Sequence, residues 1–204
     1  MNNKDIERLK KLAEPYFKNT NPDRWDHTLR VLKIARILQQ KEGGNLDIIE
    51  AAALLHDAGR GIEQITKEKN LCHAEESSKI AEKILKKLNF NEEKIKKIKH
   101  CIEVHRWSKG LKAETTEAQI IKDADRIEAT GAVGIARTFD GGSYKKRPFV
   151  SDDDFSTLYH IKNKLMKIDE TSVGTETAKQ IVKKRHEFTK LFVEEFEKER
   201  EEIK

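Results

Sequence analysis

The sequence predicts an all-α chain. Across its 204 residues the apolar positions recur at steps of three and four, no stretch alternates with period two, and proline occurs only 3 times. Glycine and Asn-Pro punctuation falls between the periodic runs and not inside them: Asn21-Pro22, Gly43-Gly44, Gly59-Arg60-Gly61, Gly110, Gly141-Gly142 and Gly174.

Between those breaks the elements follow in order. Asp5 to Phe17 reads as a first helix. Pro22 to about Lys41 reads as a second, with Asn21 as its N-cap and Pro22 at its first position. Asp47 to Ala58 is so rich in Ala, Ile and Leu that it must be buried on most sides, which makes it the centre of the core. His73 to Leu88, Asn91 to Arg106 and Thr116 to Phe139 continue the pattern. A glycine-bearing loop from Asp140 to Val150 follows, positive near its end, which reads either as a solvated connector or as a lid over an anionic ligand. Asp152 to Ile168 and Thr175 to about Lys198 complete the chain. The length suits one domain, with its core at about 20–140 and a C-terminal helical lobe at about 151–204.

Composition narrows the function. Lys and Arg number 41 against 36 Asp and Glu, a net charge of +5, and charged residues make up 38% of the chain. The basic residues are dispersed and form no block, which argues against nucleic acid and suits small phosphorylated molecules. No window approaches the length of a membrane span and the N-terminus has no apolar stretch of signal type, so a cytoplasmic protein is expected. Cys72 and Cys101 are too far apart for a thiolate zinc motif and suit a reducing compartment.

Chemistry is sought where ionisable residues fall on apolar stripes, because burying them costs several kcal/mol unless something pairs with them. His27 precedes Val31, Ile34 and Leu38 on one face, and Arg30 lies near its edge. His56 and Asp57 end the apolar third helix. Asp125 and Glu128 interrupt the stripe Ile121, Ala132, Ile135, Phe139. His105 follows Ile95, Ile98 and Ile102, while His73 leads to Ser77, Ala81, Ile84 and Leu88. His100 and His160 lie off their stripes and read as surface residues. A single inward histidine is explained by a bond to a backbone carbonyl, and an inward Asp125 by a buried pair with an Arg. The conjunction of His27, His56, Asp57 and Asp125 on three apolar helices favours a bound cation, which keeps buried carboxylates ionised.

The runs Trp25-Asp26-His27-Thr28, Leu54-Leu55-His56-Asp57-Ala58-Gly59-Arg60, Cys72-His73-Ala74-Glu75, Ile102-Glu103-Val104-His105 and Ile121-Lys122-Asp123-Ala124-Asp125-Arg126, with Lys162-Asn163-Lys164-Leu165 near the C-terminus, resemble the HD-domain metal-dependent phosphohydrolases. Within that superfamily they are similar to the branch that holds YedJ-like proteins and a nucleoside triphosphate pyrophosphohydrolase. The resemblance implies an HD-domain helical bundle with a C-terminal helical extension. It implies His27, His56, Asp57 and Asp125 as ligands of one divalent metal, with Mn favoured over Co, Ni, Mg, Fe or Zn. Asp57 would also assist proton removal. His73 and His105 would serve either as ligands of a second metal or as a polar wall for phosphate; the wall is the preferred role, because bridging by Asp57 is not visible in sequence. Arg24, Arg30, Lys122 and Arg126 would bind substrate, with Arg60 and Arg106 behind them. Where the branch carries Asp, this chain has Glu128. The implied reaction is hydrolysis of a nucleotide or similar metabolite, such as a nucleoside triphosphate to monophosphate and pyrophosphate. Competing readings are a nucleotide 5′-monophosphatase, a di-iron oxygenase and a non-catalytic nucleotide-binding module. The last helix carries Ile181, Phe188, Leu191, Phe192 and Phe196, enough to pack on its own core or on a second copy in a homodimer.

Overall fold

The computed structural model describes residues 1–66, 71–151 and 154–202. It is all-α, and the described residues contain no strand. The chain divides into two units, Met1–Asp125 and Arg126–Lys204.

In the first unit, α1 (Asn3–Ala13) starts at a capping box in which Asn2 and Asp5 satisfy each other's backbone N–H. Pro15 then tightens Glu14–Phe17 into a 3-10 turn, so the first predicted helix ends earlier than its periodicity suggests. Helix α2 (Asp23–Glu42) has Pro22 at its cap position, one residue later than predicted. Asn21 still serves the helix end, since its side-chain oxygen accepts the Asp23 N–H at 2.8 Å. Helix α3 (Leu46–Leu55) is capped by Asn45 and is buried from Ile48 to Leu55, as its composition requires. It ends at Leu55 and not at Ala58, so His56 and Asp57 lie in the turn beyond its last residue.

A short helix absent from the sequence reading, α4 (Arg60–Thr66), follows that turn. Then come α5 (His73–Lys87), α6 (Glu92–Val104) and α7 (Thr116–Glu128). Helix α3 is the hub: α1, α2, α5 and α6 all pack on it, and α5 pairs with α6. Leu54, Leu55, Leu85, Ile98, Ile102 and Ile121 are among the fully buried side chains of this unit.

The predicted helix from Thr116 to Phe139 is two helices. The chain breaks at Gly131, whose φ of +68° only glycine adopts readily, and α8 (Gly131–Tyr144) begins there. Helix α8 also runs through Asp140 to Tyr144, which shortens the predicted loop. Gly141 and Gly142 form its last turn, and Gly142 lies so close to Thr157 that an added Cβ would meet the Thr157 Oγ1 at 2.4 Å. Asp152 and Asp153, the start of the next predicted helix, lie outside the described residues. Helix α9 (Thr157–Asn163), a 3-10 turn at Leu165–Lys167 and the long α10 (Glu176–Glu202) complete the second unit. Its core joins Ile135, Ile161 and Leu165 to Phe139, Phe192 and Val193.

One contact in the first unit decides how the turn after α3 meets α5. A Cβ at Gly59 would lie 2.5 Å from the His73 carbonyl and 2.6 Å from the Ser77 backbone nitrogen, while the Gly59 N–H donates to the Ser77 Oγ at 2.8 Å. Backbone on both sides cannot yield as a side chain end would. Gly59→Ala is therefore expected to destabilise the chain by about 1–3 kcal/mol, the usual cost of overpacking. Denaturant unfolding measures it, and an unchanged midpoint would disprove the contact.

Candidate metal centre

Five helices deliver side chains to one place. His27 comes from α2, His56 and Asp57 from the end of α3, His73 from the first residue of α5, His105 from the end of α6 and Asp125 from α7. The four imidazoles form a chain of edge-to-face neighbours: His27 to His56 at 5.4 Å between ring centres, His56 to His105 at 5.1 Å, and His105 to His73 at 5.5 Å. Asp57 lies among them, 2% exposed. Its Oδ2 is 3.7 Å from His27 Nε2, and its Oδ1 is 3.5 Å from His73 Nε2 and 3.6 Å from His105 Nε2. Asp125 Oδ1 is 3.4 Å from His27 Nε2 and 4.0 Å from His56 Nε2.

Local structure dictates which ring atom faces inward. His56 and His105 each occupy the C-cap of a helix, where carbonyls of the last turn lack partners. The Nδ1 of His56 lies 2.8 Å from the Ala53 carbonyl, and the Nδ1 of His105 lies 2.5 Å from the Ile102 carbonyl, so in each ring Nδ1–H donates. Their Nε2 atoms then face inward, that of His56 toward Asp57 and Asp125 and that of His105 toward Asp57. The two Nε2 atoms of His27 and His56 also face each other at 3.4 Å. His73 binds Glu63 through Nδ1 at 3.2 Å, and its buried Nε2 has no hydrogen-bond partner.

A buried cluster of imidazole nitrogens and carboxylates, with His56, His73 and His105 each oriented from behind by an acceptor, is the donor set of a divalent cation. His27, His56 and Asp57 form one group with ligand-capable atoms within 4.8 Å of one another, and Asp57, His73 and His105 form another. The residues present therefore fit a metal.

The electrostatics agree. Burial pushes His56 down to about 4, against the opposing pull of Asp57, and it pushes His73 down to about 4 as well. Both are neutral at pH 7. Burial alone would raise the Asp57 carboxyl, but Arg60, His56, His105 and Arg24 outweigh it and hold the group well below the ordinary 3.8. Asp125 is likewise held low, burial being overcome chiefly by His27.

The other expected residues divide. Arg24 reaches the centre and donates from Nη1 to Asp57 Oδ2 at 3.1 Å. Arg60, expected behind it, is equally close, with Nε 3.0 Å from Asp57 Oδ1. Arg30 instead grips both oxygens of Asp23 at 2.8 Å, and Lys122 donates to the Leu111 carbonyl. Arg126 opens the second unit, as does Glu128, which is buried and ion-paired with Arg137. Glu128 thus shows the buried carboxylate–arginine pair that was the competing explanation for Asp125. The Asp125 side chain is 32% exposed, whereas its neighbour Asp123, passed over in sequence, is fully buried and accepts from Gln119 at 2.7 Å. His100 and His160 are half-buried. Glu63 was also passed over; nothing in the sequence distinguishes it from an ordinary surface carboxylate.

A histidine-lined, carboxylate-centred cluster on an all-α scaffold defines a metal-dependent hydrolase of the HD type. The HD domain family model matches residues 24–130, and the chain belongs to that family. Bacillus subtilis YpgQ is 30% identical over 179 residues, which is 86% of this chain and 83% of YpgQ. A crystal structure of YpgQ in complex with ADP superposes with a TM-score of 0.74 at 27% identity, covering 95% of this chain and 97% of that one. An HD-superfamily hydrolase from Bacillus thuringiensis gives 0.74 at 32% identity over 96% of both chains. The Listeria innocua protein Lin1889 gives 0.74 at 33% identity over 98% of both. Among the described residues no helix is long and apolar enough to cross a membrane.

The depressed histidines make a pH prediction. Between the ordinary 6.5 and about 4 the unfolded chain binds protons that the folded His56 and His73 refuse, so stability present above pH 6.5 is lost as pH falls through that window. Asp57 and Asp125 are held below 3.8 and lose their contribution only below it. Chelator-stripped protein should lose up to about 1.4 kcal/mol per pH unit for each histidine between pH 6.5 and 4.5. Denaturant midpoints measure it; a flat profile would contradict the neutral, buried state of these rings.

Proposed function

We propose that the chain hydrolyses a nucleotide or a similar small phosphorylated metabolite, with a nucleoside triphosphate yielding monophosphate and pyrophosphate as the leading reaction. The observation that carries this is the contact of Arg24 and Arg60 with Asp57, 3.1 and 3.0 Å away, which sets anion-binding groups directly beside a cation site. The ADP bound to YpgQ supports a nucleotide as the ligand class.

In this reading His27, His56, Asp57 and Asp125 hold one divalent metal, with Mn favoured. Such an ion lowers the pKa of a bound water and polarises a phosphoryl oxygen. The remaining work belongs to the chain. Asp57 accepts a proton from the attacking water, a contribution of about 10²–10⁴ in rate. Arg24 and Arg60 orient the phosphoryl group and oppose the charge that grows on its oxygens. Apolar packing of α3 behind the site keeps bulk water to the open side.

A specific observation favours a second metal over a phosphate wall at His73 and His105. A phosphate oxygen needs donors, but His105 spends its Nδ1–H on the Ile102 carbonyl and turns Nε2 toward Asp57. Asp57, His73 and His105 would together hold such a second ion.

A panel of nucleotides with Mn, Co, Ni and Mg, reading phosphate and pyrophosphate separately, tests the reaction. Pyrophosphate release from a triphosphate is expected; orthophosphate release from monophosphates would point to the 5′-nucleotidase. Two irons per chain with no phosphate release would replace the reading by an oxygenase. Asp57→Ala should lower turnover by at least about 10²-fold while nucleotide binding stays measurable. Undiminished turnover in that variant would refute the mechanism.

A further inference from the structure

Glu63 lies on α4, one turn beyond Arg60, and ties three groups together. Its carboxylate accepts from Arg60 Nη1 at 3.1 Å, meets His73 Nδ1 at 3.2 Å and accepts from Arg106 Nη1 at 3.3 Å. Arg60 also holds Asp57 through Nε, and Arg106 is steadied by Ser108 Oγ at 2.9 Å. Unlike Asp57, these three side chains reach solvent: Arg60 is 29% exposed, Arg106 30% and Glu63 23%. Each guanidinium has five N–H donors in a planar fork, so these contacts fix its plane and leave further donors for an anion.

Charge selects the ligand class. Arg24, Arg60 and Arg106 balance Asp57, Asp125 and Glu63, and His56 and His73 are neutral, so the site is near neutral by itself. Each divalent ion held there adds two positive charges that the side chains do not cancel. That surplus suits a ligand with more negative charge than one phosphate monoester supplies, and of the two rim arginines Arg60 touches Asp57 directly while Arg106 is joined to it through Glu63 and Arg60.

We propose that Glu63 is a positioning residue that holds Arg60 and Arg106 as a two-armed clamp for a second phosphoryl group. The clamp makes the site prefer diphosphate and triphosphate compounds over monophosphates. This rests on the phosphohydrolase reading above and assigns the specificity of that same site. Glu63 acts through the arginines and does not touch the reacting phosphorus.

The test is calorimetric binding of inorganic pyrophosphate and of orthophosphate to the full-length, manganese-loaded protein, compared among wild type, Glu63→Gln, Arg106→Ala and the double variant. Glu63→Gln should weaken pyrophosphate binding by roughly ten- to hundredfold, the value of a charge-assisted bond or two, and orthophosphate binding by less than about threefold. Because Glu63 works partly through Arg106, the double variant should lose much less than the product of the single losses. In nucleotide hydrolysis Glu63→Gln should raise KM for a triphosphate by a larger factor than it lowers kcat, because Arg106 serves only the second phosphoryl group whereas Arg60 also serves the reacting one. Arg106→Lys, which keeps the charge but not the fork, should reproduce the loss of pyrophosphate preference without disturbing α4. Unchanged pyrophosphate affinity in Glu63→Gln, equal losses for both anions, or losses that multiply would each overturn the clamp. A wild type that binds pyrophosphate but hydrolyses no nucleotide would remove the proposed reaction and leave the clamp standing. Active protein with a Glu63-independent pyrophosphate affinity would do the reverse.

Discussion

The structure depends on keeping one carboxylate charged in a dry place. Asp57 is almost wholly buried, and an isolated ion there would cost several kcal/mol or lose its charge. Two arginines, from α2 and α4, prevent that by donating to it, while histidines from the turn after α3, α5 and α6 enclose it. The architecture of the first unit follows from this demand. Helix α3 must stop at Leu55 so that Asp57 emerges from its end, and Gly59 must lack a side chain so that the turn can lie against the backbone of α5.

Helix termini supply the orientation that a metal site needs. His56 and His105 use the same device: each caps a helix, each returns Nδ1–H to the carbonyl three residues back, and each thereby directs Nε2 inward. The bond satisfies a carbonyl that the helix would otherwise leave open, so the ring is locked at little cost. The C-terminal ends of α3 and α6 add a negative field that favours a cation. His73 achieves the same result from the opposite end of a helix, with Glu63 in place of a carbonyl.

Periodicity made the helices and the inward histidines legible, because a polar residue on an apolar stripe is conspicuous without coordinates. His27, His56, Asp57, His73 and His105 all stood out in this way, and all are buried. The same signal misled where a break preserved the spacing. Glu128, Ala132, Ile135 and Phe139 keep steps of three and four across Gly131, so the gap between α7 and α8 was hidden and only the positive φ reveals it. Helix α4 was missed because seven residues beginning Arg60-Gly61 are too few to establish a period. Glu63 was missed for a related reason: a partly exposed glutamate on a short helix looks solvated, and its three partners are 3, 10 and 43 residues away in sequence.

The centre separates two kinds of polar group. Its interior presents acceptors, imidazole lone pairs and carboxylate oxygens, which attract a cation. Its rim presents guanidinium donors, which attract an anion. Arg60 joins the two, with Nε on the interior carboxylate and Nη1 on the rim carboxylate. A rigid planar fork is suited to this, because moving one arm moves the other, whereas a lysine would offer a single pivoting charge. In the proposed clamp, an anion held at the rim would therefore be tied through Arg60 to the orientation of Asp57. The dispersed charge of the whole chain has no comparable leverage: exposed lysine–glutamate pairs such as Lys79–Glu76 and Lys97–Glu93 are screened by solvent, and the decisive charges are the few whose positions burial has fixed.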